Sequence, residues 1–315
     1  MTTRPTVFID GEAGTTGLEI HRRLAGRTDI EIVSLPADSR KDPAARRRVL
    51  NEVDLAILCL PDDASREAAA MAEGGPTRLL DASTAFRTHP DWVYGFAELA
   101  PGHAERIAAA KRVSNPGCYP TGGIALLRPL VEAQVLGDDY PVSVHATSGY
   151  SGGGKKLIES YESNPPGEDA SALRYYGLNL EHKHVPELQV HSRLAHRPIF
   201  LPSVGAWRQG MLVAIPLHLR ALAKPVAGPD LHRILDDYYR GQRLVRVLPY
   251  VETSKGSLGH LDIEVLNGTD MLELFVFAHP GHGQATLVAR LDNLGKGASG
   301  AAVQNMDLML GLARA

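Results

Sequence analysis

An apolar strand, a glycine-rich turn and an amphipathic helix open the chain, and their order limits the fold more than any other feature. Residues 6–10 are a short apolar run, residues 11–17 read GEAGTTG, and residues 18–24 carry a helical stripe. Glycines allow a backbone to approach a pyrophosphate, and the following helix N-terminus offers it N–H groups. A β-to-α turn without a ligand is the alternative, because the glycine spacing is not GxGxxG. The predicted dinucleotide contacts are Gly11, Gly14, Thr15, Thr16 and Gly17.

The same rhythm continues through the first half of the chain. Predicted strands at residues 30–35, 54–60 and 78–81 alternate with predicted helices at 43–53 and 63–73. Strands that alternate with helices indicate a parallel, doubly wound sheet with right-handed crossovers. We therefore predict an α/β, Rossmann-type nucleotide domain.

The residues after the second predicted strand favour one form of the cofactor. The adenosine ribose should lie there, and the chain reads Ser39-Arg40-Lys41. A hydroxyl, a guanidinium and an ammonium suit a 2′-phosphate, whereas an acidic residue would read a free 2′-hydroxyl. Asp38 is an objection, and a solvated basic loop is the alternative. The pattern favours NADP(H) over NAD(H).

Past residue 140 the periodicity changes to short runs with period-two alternation. This spacing predicts a second, α+β domain with a mostly antiparallel sheet. Glycines, hydroxyls and two lysines at residues 147–156 suit a phosphate or carboxylate, with a flexible linker as the alternative. The predicted strands are 142–146, 199–204, 211–219, 245–251, 260–266 and 271–279.

One of the two cysteines lies in a turn that starts a helix. Residues 114–123 read SNPGCYPTGG, with Cys118 at their centre. A sulfur at a helix N-terminus faces backbone N–H groups and the positive end of the dipole, which favour the thiolate. The same N–H groups can stabilise an oxyanion. We predict that Cys118 is a catalytic nucleophile, whereas Cys59, in the apolar run 55–60, is typical of a small buried hydrophobic residue.

A histidine–carboxylate cluster, HKHVPE, occupies residues 182–187. A base for Cys118 would be one of these rings, oriented by the acid. The alternative is that the His-x-His pair supplies half of a metal site, with His279 and His282 as the remaining ligands. Nothing else clusters with them, so we expect no metal.

Length and composition limit the class of protein. A chain of 315 residues predicts two domains. A formal net charge of −3 argues against nucleic acid or an anionic membrane as the main partner. The N-terminus lacks a basic and then apolar leader, and no stretch approaches about 18 apolar residues. We therefore expect neither a signal peptide nor a membrane span. Two cysteines in unlike settings indicate a reducing compartment, so the expected location is the cytoplasm.

Four segments together resemble the short-form N-acetyl-γ-glutamyl-phosphate reductases of the aspartate-semialdehyde-dehydrogenase-like superfamily. They are the turns at 11–17 and 114–121, the cluster at 182–187 and the tail at 295–306, in family order. The resemblance implies NADPH-dependent reduction of N-acetyl-γ-glutamyl phosphate to the semialdehyde, with release of phosphate, in arginine biosynthesis. It also implies a cysteine thioester intermediate.

The resemblance assigns roles to individual residues. Cys118 is the nucleophile, His182 the general acid–base and Glu187 the group that orients it. Gly152 and Asn293 join the cofactor contacts. The stretch DASTAFR at residues 81–87 departs from the usual family form at its fourth and fifth positions. The implied substrate contacts are Ser83, Arg87, Asn115, Ser148, His184 and Arg208.

Domain boundaries and partners also follow from the resemblance. The family returns a C-terminal helix to the nucleotide domain, so that domain comprises residues 1–117 and 296–315, with a helix at 296–311. Residues 118–295 form the substrate domain, which makes the subunit contacts of a homodimer or homotetramer. Three alternatives remain: an aspartate-semialdehyde dehydrogenase, a carrier-linked aminoadipyl-phosphate reductase, and a nucleotide-sensing regulator without chemistry. The His-x-His-x-x-Glu spacing disfavours the first, and the intact thiol, histidine and acid disfavour the last.

Overall fold

A computed structural model of the chain describes residues 4–253 and 259–312, so the last three residues of the predicted C-terminal segment lie outside the described part. The chain divides into two compact units. The first runs through Pro116 and resumes at Ala298, and the second comprises Gly117–Gly297.

The first unit is built on a parallel sheet to which six described strands contribute. The strands are β1 (Thr6–Asp10), β2 (Glu31–Val33), β3 (Leu55–Leu58), β4 (Arg78–Asp81), β5 (Val93–Tyr94) and β6 (Arg112–Ser114). Their order is β2-β1-β3-β4-β6-β5, and every pairing is parallel. The helices are α1 (Thr15–Leu24), α2 (Pro43–Val49), α3 (Asp62–Met71), α4 (His103–Ala109) and a C-terminal helix (Gly300–Met309).

The apolar strands of this sheet are buried on both faces. Val7 and Ile9 of β1 pack in a cluster with Ile20 of α1 and Met306 of the C-terminal helix. Phe8 points to the opposite face and packs in a cluster that includes residues of α2 and α3. Burial on both faces is what a doubly wound sheet requires, since helices cover each side. The predicted Rossmann-type domain is confirmed.

Sequence patterns predicted the positions of several strands and helices of this unit but not the residues at which they end. The predicted strand at 78–81 coincides with β4, whereas β2 and β3 are shorter than predicted. Helix α2 ends at Val49 rather than at residue 53. The Asn51 side chain donates to the carbonyl of Arg47 at 2.7 Å, which satisfies the end of the helix. Strands β5 and β6 and helix α4 were not predicted.

The glycine turn between β1 and α1 is closely packed. Gly11 has a φ of +90°, and a Cβ there would lie 2.4 Å from the Cys59 carbonyl oxygen. A Cβ on Gly17 would lie 2.4 Å from the Gly11 carbonyl oxygen. Only glycine is compatible with either position, because backbone atoms occupy the space. The turn therefore sits against the end of the neighbouring strand.

The second unit contains a mixed sheet. Its strands are β7 (Ser143–Gly149), β8 (Leu173–Tyr175), β9 (Ile199–Gly205), β10 (Met211–His218), β11 (Val245–Val247), β12 (Val251–Glu252), β13 (Leu272–His279) and β14 (Gln284–Leu291). Its helices are α5 (Cys118–Glu132), α6 (Gly154–Glu162), α7 (Val185–Ser192) and α8 (Gly228–Tyr239). The strand order is β11-β13-β14-β10-β7-β9-β8, and β12 pairs with β13.

The second sheet is mixed, and most of its strand pairs are antiparallel, as predicted. Strands β10 and β14, β13 and β14, β10 and β7, and β8 and β9 pair antiparallel. The pairs β7–β9, β11–β13 and β12–β13 are parallel. Periodicity shows which residues face the core but not which strand lies alongside, so it did not predict which strand pairs are parallel.

The strand predicted at residues 260–266 is wrong. These residues form an irregular stretch and turns. Asn267 donates its N–H to the Glu264 carbonyl at 3.0 Å, and Thr269 donates to that of Leu266 at 3.1 Å. The carbonyls of Glu264 and Leu266, which a strand partner would otherwise use, are therefore satisfied within the turns.

Helix α5 is the central helix of this unit. It is buried along residues 119–130 and packs against α7, α8 and the strands β10, β13 and β14. Cys118, its first residue, directly precedes the buried stretch and is partly exposed. Within residues 4–253 and 259–312, no helix is both long and apolar enough to cross a membrane.

We predict that Gly17→Ala destabilises the protein and that Gly14→Ala does so much less. The new methyl carbon at position 17 meets backbone atoms at 2.4 and 2.8 Å, whereas the nearest atom to one at position 14 is 3.4 Å away. Overpacking of this kind costs about 1–3 kcal/mol. Urea unfolding followed by circular dichroism measures the difference, and equal midpoints for the two variants would contradict it.

Candidate active site

Cys118 is the first residue of α5, and an anchored glycine precedes it. Gly117 is the extended N-cap residue of the helix. Its N–H donates to Oε1 of Glu187 at 2.7 Å. Glu187 is only 1% exposed, so its carboxylate has a fixed position on α7. The start of α5, and with it the partly exposed thiol of Cys118, is thereby held.

A cavity of about 340 Å³ lies beside Cys118 within the second unit. Sequence patterns predicted part of its lining and missed part of it. The predicted residues in the lining are Cys118, Ser148, Gly152, His182 and His184. Gly149, Gly153 and Lys183 lie in segments that were predicted to be functional but were not named as contacts. The lining residues outside any predicted segment or contact are Leu157, Arg174, Tyr176 and Val204, and Tyr119 lies in the cysteine turn without a predicted role.

His182 is a neutral hydrogen-bond donor in this cavity. Its Nδ1 accepts the backbone N–H of His184 at 3.1 Å, so the neutral ring carries its proton on Nε2. Burial, and then the charge of Lys183, lower the pKa of His182 to about 4. The imidazole is therefore uncharged near neutral pH, and Nε2–H is the group that it offers to a ligand.

Aromatic rings surround the two histidines. The His182 and His184 rings meet at 62°, with their centroids 4.8 Å apart. The Tyr119 ring lies edge-on to both, at 6.2 Å from His182 and 5.8 Å from His184. His184 is 7% exposed and is the N-cap residue of α7. This packing holds both imidazoles in fixed orientations.

Glu187 lies in the first turn of the same helix, α7. Its bond to Gly117 ties the histidine segment to the cysteine turn. Sequence patterns gave no sign of this contact, since it joins residues that are far apart in the chain. The predicted role of Glu187 in orienting His182 stays a prediction.

Two tyrosines form a chain of hydroxyls in the cavity wall. Tyr176 donates to the Tyr119 hydroxyl at 3.0 Å, and Tyr119 donates to the Ser203 carbonyl at 3.1 Å. Burial, and to a smaller extent the neighbouring Cys118, raise the pKa of Tyr176 to about 12, although its hydrogen bond to Tyr119 opposes the rise. Burial also raises the pKa of Tyr119 well above its usual value. Both phenols stay protonated near neutral pH and add no charge beside the sulfur.

The loop after β7 is held by a buried asparagine. Asn293 donates to the Ser151 hydroxyl at 2.8 Å and accepts the Gly210 N–H at 2.9 Å. Ser148, the penultimate residue of β7, donates its hydroxyl to the Gly149 carbonyl at 3.1 Å. A Cβ on Gly152 would lie 3.3 Å from that hydroxyl. The cofactor contacts predicted for Gly152 and Asn293, and the substrate contact predicted for Ser148, stay predictions.

Arg208 forms an ion pair with Glu162 at the surface. Its side chain is 52% exposed. Among the described residues, the cationic side chains in the lining of the cavity are Arg174 and Lys183. The contact predicted between Arg208 and a substrate carboxylate stays a prediction, and these two residues are further candidates.

Three other predicted substrate contacts belong to the first unit, namely Ser83, Arg87 and Asn115. Ser83 donates to the buried Asp81 at 2.7 Å, and Arg87 donates to the Ala82 carbonyl at 3.2 Å. Burial raises the pKa of Asp81, while the hydroxyls of Ser65 and Ser83 and the charge of Arg87 oppose the rise. Their substrate roles stay predictions.

Asn115 fastens the C-terminal segment within the first unit. Its amide donates to the Ala298 carbonyl at 2.9 Å and accepts a hydrogen bond from Asn305 at 3.0 Å. These bonds tie Asn115, which lies within the cysteine turn, to the C-terminal segment. Its predicted contact with the substrate is likewise still a prediction.

A second cavity, of about 330 Å³, lies at the carboxyl ends of the strands in the first unit. Gly11 belongs to its lining, and α1 begins at Thr15 with Gly14 as its N-cap. Arg40 and Lys41 also line it. Glycines without side chains, a helix N-terminus and the cations Arg40 and Lys41 are features that suit a bound dinucleotide. Of the other predicted contacts, Thr16 and Gly17 lie in the first turn of α1, and Ser39 donates to Asp38 at 2.9 Å.

Cys59 differs from Cys118 in its surroundings. It packs against the hydrophobic core of the first unit. Burial raises the pKa of its thiol far above the usual value, and the carboxylates of Asp81 and Asp10 add to the rise. Within the described part of the chain, no three His, Cys, Asp or Glu side chains gather in a way that could hold a metal ion.

Two family models match the chain. One, described as the NAD binding domain of semialdehyde dehydrogenase, matches residues 6–107. The other, described as the dimerisation domain of semialdehyde dehydrogenase, matches residues 118–293. The chain therefore belongs to the semialdehyde dehydrogenase family.

Curated relatives narrow this assignment. A protein of Burkholderia ambifaria is 55% identical over 311 residues, covering 99% of this chain and 98% of the relative. One of Brucella ovis is 57% identical over 310 residues, covering 98% and 99%. Both are named N-acetyl-gamma-glutamyl-phosphate reductase, and within the family this chain groups with these reductases.

Solved structures share the fold at much lower identity. Aspartate semialdehyde dehydrogenase II of Vibrio cholerae, complexed with ASA, has a TM-score of 0.74 at 16% identity and covers 98% of this chain and 99% of its own. The Candida albicans enzyme, solved with NADP, has a TM-score of 0.64 at 12% identity, covering 99% and 100%. The two-domain architecture is therefore that of the semialdehyde dehydrogenases.

We predict that part of the pH dependence of stability comes from His182. Its pKa is lowered to about 4 in the folded protein, against an ordinary value of 6.5. Between these values the unfolded chain binds a proton that the folded protein does not, so stability falls as the pH drops through this window. Urea unfolding at pH 7 and pH 5 measures the effect. The free energy of unfolding should fall less between these two pH values in His182→Gln than in the wild type. Lys183→Gln should give an intermediate loss, and parallel curves for all three proteins would contradict the assignment.

Proposed function

We propose that this chain is an NADPH-dependent N-acetyl-γ-glutamyl-phosphate reductase that produces N-acetylglutamate semialdehyde and phosphate in arginine biosynthesis. One observation carries the proposal. A cysteine begins a helix and shares a cavity with two histidines, in a chain 55% and 57% identical to named reductases over nearly its whole length. These groups suit covalent catalysis on an activated acyl compound.

The first step uses Cys118 as the nucleophile. Its position at the start of α5 favours the thiolate, because the helix dipole places partial positive charge there. The sulfur attacks the acyl carbon and forms the S–C bond. The C–O bond to phosphate breaks, and phosphate leaves with the electron pair. A thioester remains on the enzyme.

The second step removes the acyl group from the sulfur. NADPH, when bound, supplies the hydride that reduces the thioester carbon. His182 donates a hydrogen bond through Nε2–H to the oxygen that gains negative charge. The C–S bond then breaks, Cys118 returns to the thiolate and the aldehyde leaves. A neutral imidazole suits this role, since it stabilises the oxyanion without a permanent charge. We propose this donor role in place of the general acid–base role that the resemblance implies for His182, because a ring with so low a pKa is rarely protonated near neutral pH.

The remaining residues bind and position. Arg174 and Lys183 supply positive charge for a substrate that carries a carboxylate and a phosphate. Glu187 holds Gly117, and so acts as a positioning residue for Cys118. In the first unit, Arg40 and Lys41 would hold the 2′-phosphate of NADPH, and the N-terminus of α1 its pyrophosphate. The match to a dimerisation domain supports a homodimer or homotetramer, and we place the enzyme in the cytoplasm.

We predict that the enzyme oxidises N-acetylglutamate semialdehyde at least about 100-fold more efficiently than aspartate semialdehyde, a difference of about 2.7 kcal/mol. Aspartate semialdehyde carries an ammonium group, which the charges of Arg174 and Lys183 disfavour. NADP⁺ reduction in phosphate buffer, compared as kcat/KM for the two aldehydes, measures this preference. Cys118→Ser is the control for background reduction. Faster turnover of aspartate semialdehyde would assign the chain to the other branch of the family.

A further inference from the structure

A carboxylate occupies the cavity of the first unit beside the arginine that we assign to the 2′-phosphate. Glu12 is the second residue of the glycine turn, and its side chain is 15% exposed. Its Oε1 pairs with Nη2 of Arg40 at 2.6 Å. Its Oε2 accepts a hydrogen bond from the Ser34 hydroxyl at 3.1 Å. Both Glu12 and Arg40 line the cavity.

These bonds place the carboxylate where a nucleotide ribose is read. Ser34 directly follows β2, so the Glu12 carboxylate lies at the carboxyl end of that strand. In dinucleotide-binding sheets, an acidic group near this point accepts a hydrogen bond from a free 2′-hydroxyl, whereas an arginine accommodates a 2′-phosphate. This protein has one group of each kind, paired with each other. Each ribose form therefore meets one partner that suits it and one that does not.

We propose that Glu12 limits the preference of this enzyme for NADPH over NADH by competing with the 2′-phosphate for Arg40. The inference rests on the proposed function of this cavity as the nucleotide site. A phosphate dianion that reaches Arg40 must displace Glu12 or lie within a few ångströms of it, and like charges repel at that distance. An unphosphorylated ribose instead gains the carboxylate as an acceptor.

The other charges of the cavity leave this competition in place. Arg46 is buried and bound to Asp10 at 2.8 Å, so its charge is already compensated. Lys41 lines the cavity as well and is the second cation that we assign to the 2′-phosphate, but the Glu12 carboxylate is paired with Arg40. The ionisable side chains of the lining are three cations and two carboxylates. Removal of Glu12 therefore strengthens the positive potential at the point where the two cofactors differ.

Adenosine 2′,5′-bisphosphate and 5′-AMP test the proposal without turnover, because they differ only at the 2′ position. Calorimetry measures the Kd of each for the wild type, for Glu12→Gln and for Glu31→Gln. Glu31 is an exposed carboxylate on β2 and serves as the matched control. In Glu12→Gln the Kd ratio of AMP to bisphosphate should rise about tenfold, or about 1.4 kcal/mol, as the bisphosphate binds more tightly. Glu31→Gln should leave the ratio unchanged.

Two results would overturn the inference and leave the nucleotide site in place. They are an unchanged ratio in Glu12→Gln, and a lower ratio, which would show that Glu12 holds Arg40 in position for the phosphate. Wild-type protein that binds neither nucleotide would overturn the proposed nucleotide site together with the inference. Glu12→Ala, which removes both hydrogen bonds, should raise the ratio in the same direction if the glutamine variant is too unstable for calorimetry.

Discussion

The hydrogen bond from the Gly117 N–H to the buried Glu187 carboxylate, 2.7 Å long, determines where the reactive end of α5 lies. A hydrogen bond to a charged group contributes about 1.5–3 kcal/mol. It joins the cysteine turn to α7, whose N-cap residue is His184 and whose preceding loop carries His182. Gly117 and Glu187 are 70 residues apart in the sequence, and their contact brings two distant segments into one cavity wall. The relative positions of sulfur and imidazoles depend on this contact.

The burial that shapes the cavity also determines the charge of its groups. It lowers the pKa of His182 to about 4 and raises that of Tyr176 to about 12, so both are neutral near neutral pH. Neutral donors can stabilise negative charge that develops during a reaction, and they avoid a permanent ion pair with the thiolate. Cys59, in contrast, lies near two carboxylates that disfavour its ionisation. The environment, rather than the residue type, distinguishes the two cysteines.

Local patterns predicted those parts of the molecule that local chemistry determines. The turn formers around Cys118 predicted that a helix starts near it, and the apolar run at residues 78–81 predicted β4. Contacts between distant segments could not be found in this way. The pairing of Glu187 with Gly117, and of Glu12 with Arg40 and Ser34, depends on how strands and helices are placed. Alternation also failed at residues 260–266, where turns satisfy the backbone, and it gave no sign that Arg174 lines the cavity.

The central claim is that the acyl group is carried on Cys118. The most direct test is to mix the protein with N-acetyl-γ-glutamyl phosphate without NADPH, stop the reaction in acid and map the peptides by mass spectrometry. The account predicts release of phosphate and an N-acetylglutamyl group on the peptide that contains Cys118, lost on treatment with hydroxylamine. Phosphate release with the acyl group on another residue, or turnover with no acyl-enzyme at any time point, would contradict it.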